Sequence, residues 1–267
     1  MKNYLINVDM EGIHGVVGER NRGMDPGIAD YHIATENSIK EINAAVKALF
    51  EGGADNVYVW DNHGAGDNID FSKIDPRAKK VIIKNSPLTR LDWAKDLDLT
   101  AVLYLGYHAM DGTPGVLAHT YCSSSIQYYK FNGKPLGEFD MDCIFSGAPA
   151  IFAAADDVCL KQMLDTYPEI ETVVTKYAKG RNSAEFIDSD TVVNNIYEGV
   201  KRALTKPLVP YKFTFPCTIE ARYTRMEFAE DLYLRNKNEF GLDVKYGDDI
   251  HTLICEIKNE TELKMFL

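Results

Sequence analysis

Apolar and polar positions come in blocks along the chain, and the spacing inside each block predicts an element. YLINVDM (4–10) is a short apolar run ending in acid, the pattern of a buried strand. ATENSIKEINAAVKALFEGG (34–53) puts Ile39, Ile42, Val46 and Leu49 at steps of three and four. That spacing predicts a helix with one buried face, stopped at Gly52–Gly53. NVYVWDNHG (56–64) and KKVIIKN (79–85) predict two further strands. LTAVLYLGYHA (99–109) is apolar almost throughout, which predicts a central strand covered on both faces. IQYYKFNGKPLGE (126–138) alternates around Asn132–Gly133 and predicts a hairpin. APAIFAAADD (148–157) predicts a strand, followed by a helix from about Asp156 to Leu164. IETVVTKY (170–177) predicts another strand. SDTVVNNIYEGVKRALTKP (189–207) predicts a helix with Ser189 as N-cap and Pro207 just past its end.

Strands alternating with helices predict an α/β fold, with a mainly parallel sheet and helices on both faces. From VPYKFTFPCTIEARY (209–223) onward the texture changes. The expected division is an α/β domain over 1–207 and a smaller C-terminal α+β portion over 208–267. No internal repeat is visible.

Composition changes this picture little. The chain has 267 residues, 45% hydrophobic, enough to bury a full core without staples. No apolar run reaches the length of a membrane span. MKNYLINVDMEG reads as a first strand rather than a signal peptide. Five scattered cysteines without a CxxC pair suit reduced thiols in a cytoplasm. The net charge of −11 argues against nucleic acid or anionic membrane as the main partner.

The candidate chemistry lies where the strands end, since ligands of open α/β sheets sit beyond the carboxyl ends of the strands. Asp9 and Glu11 follow the first strand. Asp61 and His63 follow the second. His108 follows the fourth, with His119 one loop later, and Glu138 follows the hairpin. Two histidines with three carboxylates exceed the four ligands that one zinc normally takes. The surplus suits two metals sharing one carboxylate, with a water activated between them. Nitrogen and oxygen donors without thiolate suit zinc, and leave manganese or cobalt open. Each residue also has a plainer reading. Asp9 and Glu11 fit a solvated strand end, and His108 a satisfied core histidine. Asp61 fits a turn, or a partner for a ligand histidine's other nitrogen. Glu138 fits plain surface.

The motifs VDMEGIHG, DNHG, LGYHA, TPGVLAHT and KPLGE, in this order and spacing, resemble the D-aminopeptidases of bacterial dipeptide-transport operons. The resemblance runs from the first strand to about Arg181 and is weaker in the last sixty residues. It implies a dinuclear zinc peptidase with two zinc ions per chain, acting on short peptides with an N-terminal D-residue such as D-Ala. It implies that Asp9 bridges both metals, that Glu11 and His108 complete one site, and that His63 and Glu138 complete the other. It assigns His119 to catalysis, as nucleophile or as general acid–base. It also implies a homo-oligomer, a ring-based decamer. The chain departs from the family pattern at His14, where a small residue is usual, and at Phe139, Asp140 and Asp142, expected beside the metal site. Lys176, Lys179 and Arg181 form either a solvated basic turn or a group facing a substrate carboxylate. Two other readings stand beside the peptidase. A dinuclear phosphoesterase is suggested by the Asn-His turn of DNHG, against the Asp-x-Glu after the first strand. The other is a metal-binding protein of the same fold without activity.

Overall fold

The computed structural model describes residues 1–83 and 91–267. β1 (Asn3–Val8), β2 (Asn56–Asp61), β3 (Lys79–Val81) and β4 (Ala101–Tyr107) are followed by a hairpin of β5 (Ile126–Phe131) and β6 (Lys134–Leu136). β7 (Ala150–Asp156), β8 (Glu171–Gly180) and β9 (Ser183–Phe186) come next. The main sheet has the order β3-β2-β1-β4-β7-β8-β9, parallel throughout except for β9, which turns back on β8. A second, antiparallel sheet adds β10 (Cys217–Tyr223), β11 (Lys245–Tyr246) and β12 (Thr252–Ile257) in the order β11-β12-β10-β5-β6. The hairpin therefore leaves the main sheet, and the smaller sheet takes strands from both sides of residue 207.

The α/β class and the mainly parallel sheet agree with the expectation from the sequence. The differences lie at element ends. Helix α1 (Ala29–Glu51) starts earlier than its apolar spacing suggests. Helix α3 (Asp157–Thr166) is capped by Asp156, whose carboxylate accepts from the Val158 and Cys159 amides. Helix α4 (Ser189–Ala203) is capped by Asp188 rather than Ser189, because the Asp188 carboxylate reaches the Thr191 amide at 3.0 Å. β9 was not expected. Of the predicted strand 79–85, the last two residues lie outside the described residues.

Strand alternation divides the core. Tyr4, Ile6 and Val8 of β1, with Leu103 and Leu105 of β4, pack on Ile42, Val46 and Leu49 of α1 and on Val192, Ile196 and Val200 of α4. Leu5, Val102 and Tyr104 face the opposite way, onto Cys159, Leu160 and Met163 of α3. Each such apolar side chain contributes about 1.5–3 kcal/mol on burial. Helix α2 (Glu138–Ser146) is buried along its whole length. Phe139 and Cys143 serve the main-sheet core, while Met141, Ile144 and Phe145 join Ile219 and Leu253 of the second sheet. This helix locks the two sheets together, and its first residue is Glu138.

The chain reverses direction across the sheet between β1 and β4, the switch point where such sheets bind ligands. Two glycines let the loop after β1 cross the end of β4. The Gly12 amide donates to the Gly106 carbonyl at 2.7 Å. A side-chain carbon on Gly12 would lie 2.1 Å from the Tyr107 carbonyl oxygen, and one on Gly106, at φ +72°, would lie 2.0 Å from that of Asp9. Lys176 then clamps the loop from beneath. Its ammonium donates to the carbonyls of Glu11 (2.6 Å), Ile13 (2.8 Å) and Val16 (2.7 Å). Lys176 is fully buried, so it faces neither solvent nor a substrate. Burial pulls its pKa down to about 8, against the pull of the Asp156 and Glu41 carboxylates. At neutral pH it thus keeps three N–H donors for three acceptors.

Two stability predictions result. Gly12→Ala should lower unfolding free energy by about 3 kcal/mol in urea titrations, since the added carbon would run into the backbone of Gly106 and Tyr107, which no side-chain rotation relieves. A wild-type urea midpoint would refute the close approach. Lys176→Met keeps the volume but strips three carbonyls of donors and leaves buried carboxylates without their cation. A loss of about 3–5 kcal/mol is expected, and a change under 1 kcal/mol would contradict the clamp.

Candidate metal centre

Every residue singled out at a strand end except Asp61 converges on one cleft. Asp9 and Glu11 leave β1, His63 leaves β2, His108 leaves β4, and Glu138 opens α2. His63 Nδ1 lies 3.0 Å from Asp9 Oδ1 and 3.1 Å from Glu11 Oε2. His108 Nε2 lies 3.1 Å from Glu138 Oε1 and 3.6 Å from Asp9 Oδ2. The two oxygens of Asp9 therefore face two different imidazoles. Contacts pair Glu11 with His63 and Glu138 with His108, whereas the family resemblance pairs Glu11 with His108.

Asp9, Glu11, His63 form one group whose potential ligand atoms lie within 4.8 Å of one another, and His108, His119, Glu138 form a second. The donor set fits a divalent ion. His108 Nδ1 is 3.1 Å from the Ala109 carbonyl, which only accepts, so this nitrogen carries the proton and Nε2 is left toward the carboxylates. The Glu138 carboxylate is steadied by the Tyr121 amide at 2.6 Å.

The charges in this cluster are strongly coupled. Burial, then the neighbouring Glu11 charge, raises Asp9 to about 7. Burial also works to raise Glu11, but His63 and then His108 outweigh it and hold Glu11 well below the carboxylate range. Burial opposes charge on His63 and His108, yet the carboxylates prevail. His63 sits well above its ordinary value, and Glu138 with Asp9 pushes His108 up to about 10. Three buried carboxylates demand positive charge. Protons on two histidines supply it here, and a divalent cation supplies the same charge while displacing them.

His119 differs. Burial, and then the charge on His108, lower its pKa, so it is neutral near pH 7. Its Nδ1 lies 2.8 Å from the Leu117 carbonyl and must be the donor, leaving a lone pair on Nε2. Its ring stacks on His108, centroids 3.7 Å apart and planes 15° apart. The backbone around it is unusual. Leu117 (φ 51°) and Tyr121 (φ 54°) are both left-handed, a conformation that costs about 1–2 kcal/mol for such residues. Their amides are spent on the Arg181 carbonyl and on Glu138. Nothing in the sequence marks Leu117 or Tyr121 for this role.

The remaining residues resolve in other ways. Asp61 serves the turn: its carboxylate accepts from the amides of His63 (3.2 Å), Asn68 (2.6 Å) and Ile69 (3.1 Å). His14 is half-buried, with Nε2 2.8 Å from the Ile187 carbonyl and its ring stacked on Phe186, so it is not a group of the cleft. Phe139 belongs to the core, edge-on to Tyr104. Asp140 caps α2 through the Gly137 amide at 2.9 Å and accepts from the Tyr211 hydroxyl at 2.9 Å. Asp142 lies beneath the site, bonded to the Tyr107 hydroxyl and to the side-chain amides of Asn7 (3.2 Å) and Asn62 (3.3 Å). This network ties α2 to the strand ends carrying His63 and His108. Sequence reading missed Asn7, Asn62 and Tyr107, although Asn62 stands inside DNHG. Lys179 pairs with Glu185 at the surface.

Comparison with known proteins gives the family and the fold. Residues 1–239 match the model of the D-aminopeptidase family, peptidase family M55. A curated D-aminopeptidase of Bacillus subtilis (strain 168) is 27% identical over 218 residues, covering 79% of this chain and 78% of the relative. A solved structure, the Zn-dependent D-aminopeptidase DppA from Bacillus subtilis, described as a self-compartmentalizing protease, superposes with a TM-score of 0.84. That match covers 99% of this chain and 94% of the other at 22% identity, and it establishes the shared fold. With a family model spanning most of its length, the chain belongs to the D-aminopeptidase family.

Proposed function

We propose that this chain is a zinc-dependent aminopeptidase that hydrolyses the first amide bond of short peptides, with an N-terminal D-residue such as D-Ala. The observation that carries the reading is Asp9, whose two oxygens face the imidazoles of His63 and His108 across a buried carboxylate cluster. The proposed ligands are Asp9, Glu11, His63, His108 and Glu138; Asp9 would be shared between two zinc ions, and each would take one imidazole. Bound zinc supplies Lewis acidity and lowers the pKa of water.

The protein's own groups do the rest. The peptide lies in a cleft of about 620 Å³ that reaches from the cluster to Tyr223, Phe228 and Leu232 beside the second sheet. These side chains give that end of the cleft an apolar lining for the substrate. His119 Nε2 takes the proton of the attacking water as the new C–O bond forms. It returns that proton to the leaving nitrogen as the C–N bond breaks. The left-handed Leu117 and the Leu117 carbonyl hold the ring in the tautomer this step needs. His119 is thus read as a general acid–base group. An imidazole within 4.8 Å of both His108 and Glu138 is also near enough to be a ligand, so its role needs a test that reads metal as well as rate.

A homo-oligomer, on the family pattern a decamer, is proposed as the working form. Exposed Tyr177, Phe186 and Leu208 offer apolar surface for it. A cytoplasmic location is proposed on the five free cysteines, four of them buried. No helix among the described residues is long and apolar enough to cross a membrane.

Two experiments examine the site. Release of D-alanine from D-Ala dipeptides, followed by mass spectrometry, should stop on metal removal and return with Zn²⁺; hydrolysis surviving complete metal removal would sink the zinc reading. His119→Ala should cut kcat by about 10²–10⁴ while elemental analysis still finds about two zinc ions per chain. Loss of zinc in that variant would instead make His119 a ligand.

A further inference from the structure

Glu11, His63 and His119 line two depressions at once. The larger is the cleft described above. Its lining includes the carboxylates of the cluster and Asp231 but, among the described residues, no lysine or arginine. The smaller, about 360 Å³, lies against the same three residues and is lined by Glu19, Asn21, Arg22, Ser123 and Arg181. The reacting centre therefore stands between an acidic, partly apolar side and a side that carries two guanidinium groups.

The two arginines differ in how their charge is met. Arg22 has Glu19 at 3.4 Å and Asp25 at 3.3 Å. Arg181 has no carboxylate partner among the described residues; its Nη1 donates to the Ala118 carbonyl at 3.0 Å. That carbonyl belongs to the peptide unit joining Ala118 to His119, and the Arg181 carbonyl accepts from the Leu117 amide at 2.8 Å. The cation is thus fixed to the segment that aims His119. One anchored nitrogen sets the plane of the guanidinium and leaves most of its five donors for a ligand.

We propose that Arg181, with Arg22 beside it, binds the C-terminal carboxylate of the leaving residue, so that the preferred substrates are dipeptides with a free carboxylate. The proposal rests on the aminopeptidase reading. In a dipeptide the carboxylate carbon is two bonds beyond the leaving nitrogen, about 2.5 Å away. A group that recognises it must therefore lie close to the residue that protonates that nitrogen. The Arg181 anchor beside His119 meets this requirement. A longer peptide, or a C-terminal amide, presents a neutral amide at the same place. The substrate's own charges also match: its ammonium falls on the acidic side and its carboxylate beside the Arg181 guanidinium, while Glu19 in the same depression is paired with Arg22.

The test uses the zinc-loaded full chain and two probes, D-Ala-D-Ala and its C-terminal amide. Wild type should favour the free carboxylate in kcat/KM. In Arg181→Gln the ratio of kcat/KM for the dipeptide to that for its amide should fall by about 10- to 100-fold, the loss of a hydrogen bond to a charged group. The loss should appear in KM rather than kcat. Arg181→Lys should recover part of the ratio, because the charge remains and the planar fork is lost. Arg22→Gln should lower the same ratio by a smaller factor. Equal losses on both probes, or a lowered zinc content in Arg181→Gln, would make Arg181 a structural anchor only and overturn the proposal while leaving the aminopeptidase reading intact. Failure of wild type to cleave either probe would overturn both.

Discussion

The peptide between Gly106 and Tyr107 lies against Gly12 with no room for a side-chain carbon, and the site depends on this crossing. Two strands of a parallel sheet end side by side, yet their loops normally diverge to reach the next helix. Here the loop after β1 folds back over the end of β4, and Asp9 and Glu11 meet His108. Closing that crossing buries the carbonyls of Glu11, Ile13 and Val16, each a strong acceptor that water no longer reaches. Lys176 answers all three with one ammonium. A neutral side chain with fewer donors would leave at least one acceptor unpaired.

The same crowding sets the electrostatics. Three carboxylates share a water-poor space with three imidazoles. Burial alone would neutralise the acids, but the nearby imidazoles reverse this for Glu11 and leave Asp9 as the group that rises. His108 and His63 carry positive charge because carboxylates face them. His119, stacked on a charged His108 and bonded to a carbonyl instead of an acid, stays neutral. Histidines of the same covalent structure thus acquire opposite tendencies from their neighbours, which is the condition for one to hold charge and another to move a proton.

Rigidity around the cluster comes from elements that serve both sheets. Helix α2 brings Glu138 to the cleft and sends Asp142 down to the hydroxyl of Tyr107 and the amides of Asn7 and Asn62. One buried carboxylate therefore fixes the helix, the DNHG turn and the end of β4 relative to one another. The antiparallel sheet packs on the far side of α2 and supplies the apolar end of the cleft through Tyr223 and the following helix. The second sheet is thus part of the cleft, although the residues proposed to hold metal all lie before residue 139.

Apolar periodicity sufficed to determine the α/β class and the central place of 99–109, because burial on two faces imposes a continuous apolar run. The position of acids and histidines at strand ends was equally visible, since a parallel sheet must gather those ends on one edge. What periodicity lacks is direction in space. It could not show that the hairpin at 126–136 leaves its neighbours to pair with β10, because either sheet satisfies the same alternation. It could not distinguish Asp61, which spends its oxygens on turn amides, from Asp9, which spends them on histidines. Lys176 and Arg181 lie five residues apart in one basic stretch, yet one is sealed beneath the loop and the other lines the smaller depression beside His119. Composition treats them alike; only the tertiary structure, by deciding which carbonyls lose their water, gives each its task.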